Sequence, residues 1–210
     1  VCTDGSTFAA DLAVIGIGAV PNVQLAEDAG LEVANGVVVD EFGRTGDPAI
    51  YAAGDVTNHP NGLFGRRLRL ESVHNAMEQA KAVARAIAGQ PKAYADVPWF
   101  WSDQYDLKLQ IAGVGGADDE LVLRGDPADR AFSCLHLRDG RLVAIDCVNR
   151  GADFLAAKKL IAERRAFDLA RAGERAMNRN DIGKRSAGLP ETEQQPALLG
   201  RGRRDPAADR

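Results

Sequence analysis

The chain has 210 residues and a net charge of −4, with 45% hydrophobic and 27% charged residues. This is a globular composition, and no apolar run approaches the ~18 residues of a membrane span. Residues 1–163 carry 15 basic and 23 acidic side chains, which argues against a nucleic-acid partner. Three scattered cysteines and three histidines lack metal-site spacing, so we expect no metal, reduced thiols and a cytoplasmic protein.

The first third of the chain alternates short apolar runs with glycine-containing turns. Residues 11–18 are continuously apolar, which predicts a strand buried on both faces of a parallel sheet. A short helix is expected over residues 23–29, with Gly30 as its stop. Asn35-Gly36 indicates a hairpin turn, and residues 50–55 indicate a strand that runs into a turn.

A long helix is expected after a polar loop at residues 56–69. Glu71 or Ser72 marks its start and Gly89 its end. Apolar residues recur in it at helical spacing and predict its buried face. They are Val73, Ala76, Met77, Ala80, Val83, Ala84 and Ile87.

Beyond residue 98 the apolar pattern changes to a period of two. Strands are expected at residues 107–111, 121–123, 132–137 and 142–148, the last two joined by an Asp139-Gly140 turn. A helix over residues 153–165 completes a small α+β unit. From about residue 172 the periodicity is lost, and residues 172–210 are predicted to be a disordered tail.

Asp55 is the residue on which a functional prediction first depends. It follows Gly54 at the carboxyl end of a predicted strand, where α/β folds bind ligands. An ionised carboxylate there is a good acceptor for a sugar or polyol hydroxyl. From the residues alone, a carboxylate that caps a turn or a helix is an equally good interpretation.

Four segments resemble one family when they are taken in order and spacing. They are residues 15–22 (IGIGAVPN), 50–56 (IYAAGDV), 69–76 (RLESVHNA) and 98–105 (PWFWSDQY), with support from residues 148–150 (VNR). The chain resembles the C-terminal half of FAD-dependent NAD(P)H:ferredoxin reductases, which serve dioxygenases and cytochromes P450. They belong to the pyridine nucleotide-disulfide oxidoreductase superfamily. The resemblance covers about residues 8–165.

The resemblance implies a role for each matching position. Gly54, Asp55 and Val56 would form the second FAD motif, with Asp55 on the ribityl chain. Glu71, Ser72 and Val73 would begin the helix whose amides point at the flavin. Trp101, with Trp99, would cover the flavin near the electron exit, with core packing as the alternative. Gly16 and Gly18 would lie on the NAD(P) side. Arg66, Arg67 and Arg69 would either dock an acidic ferredoxin or form a solvated loop.

The family fold implies a partial two-Rossmann-type FAD/NAD(P)-binding fold followed by a small α+β C-terminal reductase domain. Residues 1–30 would end the NAD(P)-binding domain, residues 31–92 would form the C-terminal part of the FAD-binding domain, and residues 98–167 would form the reductase domain. No Gly-x-Gly-x-x-Gly phosphate motif occurs in the sequence. We therefore expect a fragment that is inactive alone, taken from an enzyme that passes electrons from NAD(P)H through FAD to a [2Fe–2S] ferredoxin.

Two other functions stay open at this point. The absent glycine motifs suit a non-catalytic remnant, or a partner-docking module without flavin. An FAD-dependent peroxide or coenzyme-A-disulfide reductase is the third possibility, and it requires a catalytic cysteine.

Overall fold

The structure, a computed structural model, describes residues 2–164 and the backbone of residues 175–177. The described residues divide into two compact units, one holding residues 2–20 and the other residues 21–164 and 175–177. In neither described range is a helix both long enough and apolar enough to cross a membrane.

The prediction of a buried strand at residues 11–18 is wrong. Val14, Ile15 and Ile17 are exposed by 91%, 77% and 87%, and the segment has no regular secondary structure. A strand requires a neighbour to satisfy its backbone groups, and no described residue pairs with this segment.

The second unit begins with a short helix and a tight turn. Helix α1 spans Gln24–Asp28. Gly30 follows it with a φ of +72° and stops the helix, as predicted. The Asn35-Gly36 turn is also confirmed, since an antiparallel bridge joins Val33 to Val37. Strand β1 then covers Val37–Val38 and pairs in parallel with residues 57–58.

Two strands replace the loop that we predicted at residues 56–69. Strand β2 spans Thr57–Asn61 and strand β3 spans Arg66–Leu68, and they pair antiparallel. The strand predicted at residues 50–55 is reduced to one bridge, between Arg44 and Tyr51. Polar residues on the buried face of β2 hid the strand from a search for apolar alternation.

Helix α2 spans Val73–Ile87, close to its predicted bounds. The face that it buries is not the predicted apolar one and includes two polar residues. Its buried residues are Asn75, Gln79, Ala82 and Ala86. The apolar residues Val73, Met77 and Ile87 are exposed by more than half. The reason is the partner, because Gln79 packs on β2 and accepts a hydrogen bond from buried Thr57.

His59 is the most isolated polar side chain of this layer. It is 2% exposed, its ring lies 5.2 Å from that of Tyr94, and neither ring nitrogen has a hydrogen-bond partner among the described residues. Burial, with a smaller contribution from the charge of Arg67, lowers the pKa of His59 to about 4. The histidine is therefore held neutral in the folded chain.

The C-terminal part is an antiparallel sheet with one helix packed on it. Strands β4 (Trp99–Gln104), β5 (Leu107–Gly113), β6 (Glu120–Arg124), β7 (Phe132–Arg138) and β8 (Arg141–Val148) are followed by helix α3 (Gly151–Glu163). The order across the sheet is β4-β5-β8-β7-β6, with one further strand beside β6. Strands β5 to β8 and the helix confirm the sequence prediction, whereas β4 was not predicted as a strand.

Strand β9, Arg175–Met177, pairs with β6 and corrects part of the predicted disordered tail. An unpaired sheet edge offers free backbone groups to any nearby segment, which is the physical reason for this pairing. The rest of residues 172–210 lies outside the described residues.

Phe154 anchors α3 to this sheet. It is 4% exposed, belongs to the main apolar cluster with Val122, Leu135 and Ile145, and its ring lies 5.7 Å from that of Trp99. The next residue, Leu155, is 67% exposed.

We expect Phe154→Ala to lower the free energy of unfolding by roughly 3–5 kcal/mol, because it removes a buried ring and leaves a cavity. Leu155→Ala is the matched control and should change it by no more than about 0.5 kcal/mol. Urea unfolding followed by circular dichroism measures both. Equal losses in the two variants would contradict the assignment of Phe154 to the core.

His59 gives the stability a predictable pH dependence. Its pKa is lower in the folded chain than the ordinary value of about 6.5, so unfolding is favoured by protonation. This contribution to stability is complete above pH ~6.5 and is lost as the pH falls through about 4. His59→Gln should flatten the unfolding free energy between those pH values. An unchanged slope would mean that His59 is not buried in its neutral form.

Candidate functional site

A sharp turn carries Asp55 at one end of α2. Gly54 has a φ of +85°, and a Cβ at this position would lie 3.6 Å from the Cβ of Ala76. The amide of Thr57 donates to the Gly54 carbonyl at 3.0 Å and closes the turn. Asp55 is exposed, so its carboxylate is available as an acceptor.

The first turn of α2 lies beside this turn and offers backbone donors. Ser72 is the N-cap, and its hydroxyl accepts from the amide of Asn75 at 3.2 Å. The amides of Val73 and His74 have no carbonyl one turn earlier in the helix to pair with. Since Val73 is 56% exposed, a ligand can reach this positive helix end.

Two tryptophans extend the site onto the C-terminal sheet. Trp99 and Trp101 alternate with Phe100 along β4 and share one face, with ring centroids 5.2 Å apart. The ring of Trp99 lies 5.6 Å from that of His74, which connects the sheet to the start of α2. Trp101 is 39% exposed and presents an open aromatic surface.

His74 lies in a groove of about 430 Å³ between α3 and the segment before β4. Burial, followed by the charge of Lys158, lowers its pKa, although Asp96 at 3.8 Å opposes this. The Nζ of Lys158 lies 5.1 Å from the centre of the Trp99 ring. A neutral imidazole and a cation therefore both lie close to the ring of Trp99.

Gln79 is a positioning residue that sequence reasoning missed. Its Oε1 accepts from the amide of Gly54 at 2.7 Å and lies 2.8 Å from the hydroxyl of Thr57. Gln79 is 1% exposed, so these bonds are shielded from water. Its spacing, one turn after Asn75 on the same helix face, was the available signal, but we searched that helix for apolar residues only.

Two of the three arginines considered for ferredoxin docking are engaged within the chain. Arg67 donates to Asn58 and to the Val39 carbonyl. Arg69 donates to Asn35, Glu71 and the Asp55 carbonyl. Arg66 is exposed on β3. The solvated-loop interpretation is therefore wrong for Arg67 and Arg69, whereas ferredoxin docking by these arginines stays a prediction.

The remaining predicted positions are placed differently. Val56 uses its carbonyl to accept from Val37 at 2.8 Å, so its backbone supports the sheet. Gly16 and Gly18 belong to the other unit, and a Cβ at either would meet nothing within 4 Å. Among residues 2–164, no group of three or more His, Cys, Asp or Glu side chains is arranged to hold a metal ion.

The chemistry of this site fits the flavin half of FAD. Asp55 supplies a hydroxyl acceptor, the free amides at Val73 and His74 supply donors, and Trp101 supplies an aromatic surface. The three groups are joined through Ala76, His74 and Trp99. The two phosphates of FAD are bound in this fold by a Gly-x-Gly-x-x-Gly turn, and that motif does not occur in the sequence.

Comparison with known proteins agrees with this assignment. The family model described as pyridine nucleotide-disulphide oxidoreductase matches residues 1–80, and the model described as reductase C-terminal matches residues 99–182. "Probable ferredoxin reductase CtmF" of Castellaniella defragrans is 54% identical over 152 residues, which is 72% of this chain and 37% of that protein.

Solved ferredoxin reductases are similar in structure as well. The ferredoxin reductase for the CYP199A2 system from Rhodopseudomonas palustris matches with a TM-score of 0.74 and 43% identity, over 80% of this chain and 43% of that one. The covalent putidaredoxin reductase–putidaredoxin complex matches with a TM-score of 0.78 and 37% identity, over 89% and 45%.

The chain thus spans about two fifths of the length of the curated relatives it matches. Both family models, the order of the motifs and the fold agree on one assignment. The chain belongs with the pyridine nucleotide-disulphide oxidoreductases over residues 1–80 and with the reductase C-terminal family over residues 99–182, and the relatives to which it is similar are ferredoxin reductases.

Proposed function

We propose that this chain is the flavin-facing and ferredoxin-facing part of an NAD(P)H:ferredoxin oxidoreductase. One observation carries the proposal: three features lie next to each other in the structure. They are the Asp55 turn, the open N-terminus of α2 and the Trp99–Trp101 pair. When bound, FAD would supply the redox chemistry, taking two electrons as hydride from NAD(P)H and giving them singly to two ferredoxin molecules.

The residues of the chain bind and orient the cofactor in this proposal. Asp55 accepts hydrogen bonds from ribityl hydroxyls, and such bonds to an ionised acceptor are among the stronger ones. The amides at Val73 and His74, together with the helix dipole, favour negative charge at the edge of the flavin. Trp101 excludes water from the ring, and Gly54 and Val56 shape the turn that places Asp55.

The proposed partner is a [2Fe–2S] ferredoxin of an oxygenase system. Its support is a pair of lysines beside the tryptophans, Lys158 and Lys159, at the groove that also contains His74 and Asp96. An exposed apolar side chain, Leu155, lies in the same groove. Positive charge around an apolar centre suits a small acidic electron carrier, because it speeds encounter without requiring tight binding.

The two other functions have less support. A peroxide or coenzyme-A-disulfide reductase would need a reactive cysteine upstream of these residues, and Cys147 does not supply one, because burial raises the pKa of its thiol to about 11. A docking module without flavin would leave the open helix end and the exposed Asp55 without a role. We also propose a cytoplasmic location, supported by the scattered spacing of the three cysteines, which does not form a closed disulfide framework.

Both tests below use a completed chain, which is residues 1–210 preceded by the N-terminal part of CtmF that lies before the matched region. The 210-residue chain alone lacks a phosphate-binding turn and is expected to retain no FAD.

Asp55→Asn in the completed chain should weaken FAD binding by roughly tenfold to a hundredfold, because one charge-assisted hydrogen bond becomes neutral. Flavin absorbance after dialysis against a concentration series measures the dissociation constant. Asp118→Asn, a change at an exposed carboxylate of the β5–β6 connection, is the control and should have no effect. Equal affinity of the Asp55 variant and the control would refute the role of Asp55.

Trp101→Ala should slow reduction of the ferredoxin more than reduction by NADH, because Trp101 lies on the proposed electron exit. Stopped-flow absorbance follows the two half-reactions separately. Phe100→Ala is the matched control, since Phe100 is similarly exposed but points to the opposite face of β4. Equal slowing of both half-reactions together with a lower melting temperature would assign Trp101 to packing instead.

A further inference from the structure

Arg69 connects three segments that meet at the candidate site. Its Nη1 donates to the Asp55 carbonyl at 3.3 Å and to Glu71 Oε1 at 2.5 Å. Its Nε donates to Asn35 Oδ1 at 3.1 Å. The side chain of Arg69 is 15% exposed and that of Glu71 is 37% exposed.

These segments include both parts of the proposed flavin contact. Asp55 is the hydroxyl acceptor, and Glu71 immediately precedes Ser72, the N-cap of α2. One guanidinium therefore ties the backbone that aims the Asp55 carboxylate to the residues that begin the helix. Gln79 ties the turn to the middle of α2 through Gly54 and Thr57, and Arg69 adds a connection from the turn to the residues just before the N-cap of that helix.

The path of the arginine side chain is fixed by a close backbone approach. Gly36 has a φ of +117°, and a Cβ there would lie 2.6 Å from the Val56 carbonyl and 3.1 Å from Cδ of Arg69. Any larger residue at position 36 would displace the arginine or the turn. The stem of Arg69 is thus confined before its guanidinium reaches its acceptors.

We propose that Arg69 is a positioning residue for FAD, acting through Asp55 and Glu71 rather than by touching the cofactor. The proposal rests on the proposed function. Arginine is required because its planar fork donates in several fixed directions at once. A lysine keeps the charge but presents a single ammonium, which cannot hold all three acceptors in this geometry.

Arg67 provides a matched control two residues away. It also donates from a guanidinium to an asparagine side chain and to backbone carbonyls, those of Asn58 and Val39. None of its hydrogen bonds reaches Asp55, Glu71 or the start of α2. Arg67→Lys therefore removes a similar internal brace without affecting the proposed site.

The test compares Arg69→Lys with Arg67→Lys in the completed chain. We expect Arg69→Lys to weaken FAD binding about tenfold and Arg67→Lys to change it by less than about twofold. The melting temperature of each apoprotein is measured in parallel, and we expect similar small decreases. Visible circular dichroism of the bound flavin should change only in the Arg69 variant, because only there is the cofactor held differently.

Each alternative outcome has a distinct meaning. If both variants lose FAD in proportion to their loss of apoprotein stability, Arg69 is a structural brace and the inference is wrong while the proposed function stands. If the unsubstituted completed chain folds but binds no FAD, the proposed function fails and the inference fails with it. Equal affinity of Arg69→Lys and the parent also overturns the inference.

Discussion

The amide oxygen of Gln79 makes the interaction on which the rest of the site depends. It accepts a hydrogen bond from Gly54 and lies within hydrogen-bond distance of Thr57, in a layer closed to water. If the Gly54 amide had no acceptor in that layer, the cost would be about 1–3 kcal/mol. The turn is therefore stable only when it is packed against the helix that carries Gln79. Because Asp55 follows the turn, its exposed position is a consequence of a buried bond.

Trp99 makes the second connection, between α2 and the C-terminal sheet. Its ring lies 5.6 Å from that of His74, 5.7 Å from that of Phe154 and 5.1 Å from the Lys158 ammonium. Aromatic contacts of this kind each contribute about 0.5–1.5 kcal/mol beyond the area that they bury. The ring of Trp99 thus brings the C-terminal sheet close to the start of α2, and Trp101 beside it is 39% exposed.

Residues with strong local signals were predicted correctly from the sequence. Ser72, Gly89, Asn35-Gly36 and Asp139-Gly140 act through neighbouring backbone atoms, and each bounds an element as expected. The strands of the C-terminal sheet follow from their apolar alternation because one face packs against α3.

The failures arose where a residue's environment is set by distant parts of the chain. The buried face of α2 is polar because β2 presents Thr57 to it, and no periodicity within the helix shows this. Residues 11–18 have a strand composition but no described neighbour to pair with. Gln79 and Arg69 were missed as positioning residues because their acceptors lie in other segments of the chain.

The central claim is that the tryptophans of β4 lie against the flavin that Asp55 and α2 hold. Trp99 and Trp101 are the two tryptophans of the 210-residue chain, so their emission reports on this place. The decisive measurement is their time-resolved fluorescence in a completed chain whose CtmF part has its tryptophans replaced by phenylalanine, with and without FAD. The account predicts strong quenching when FAD is bound at one per chain. Unchanged decay at the same occupancy would contradict it.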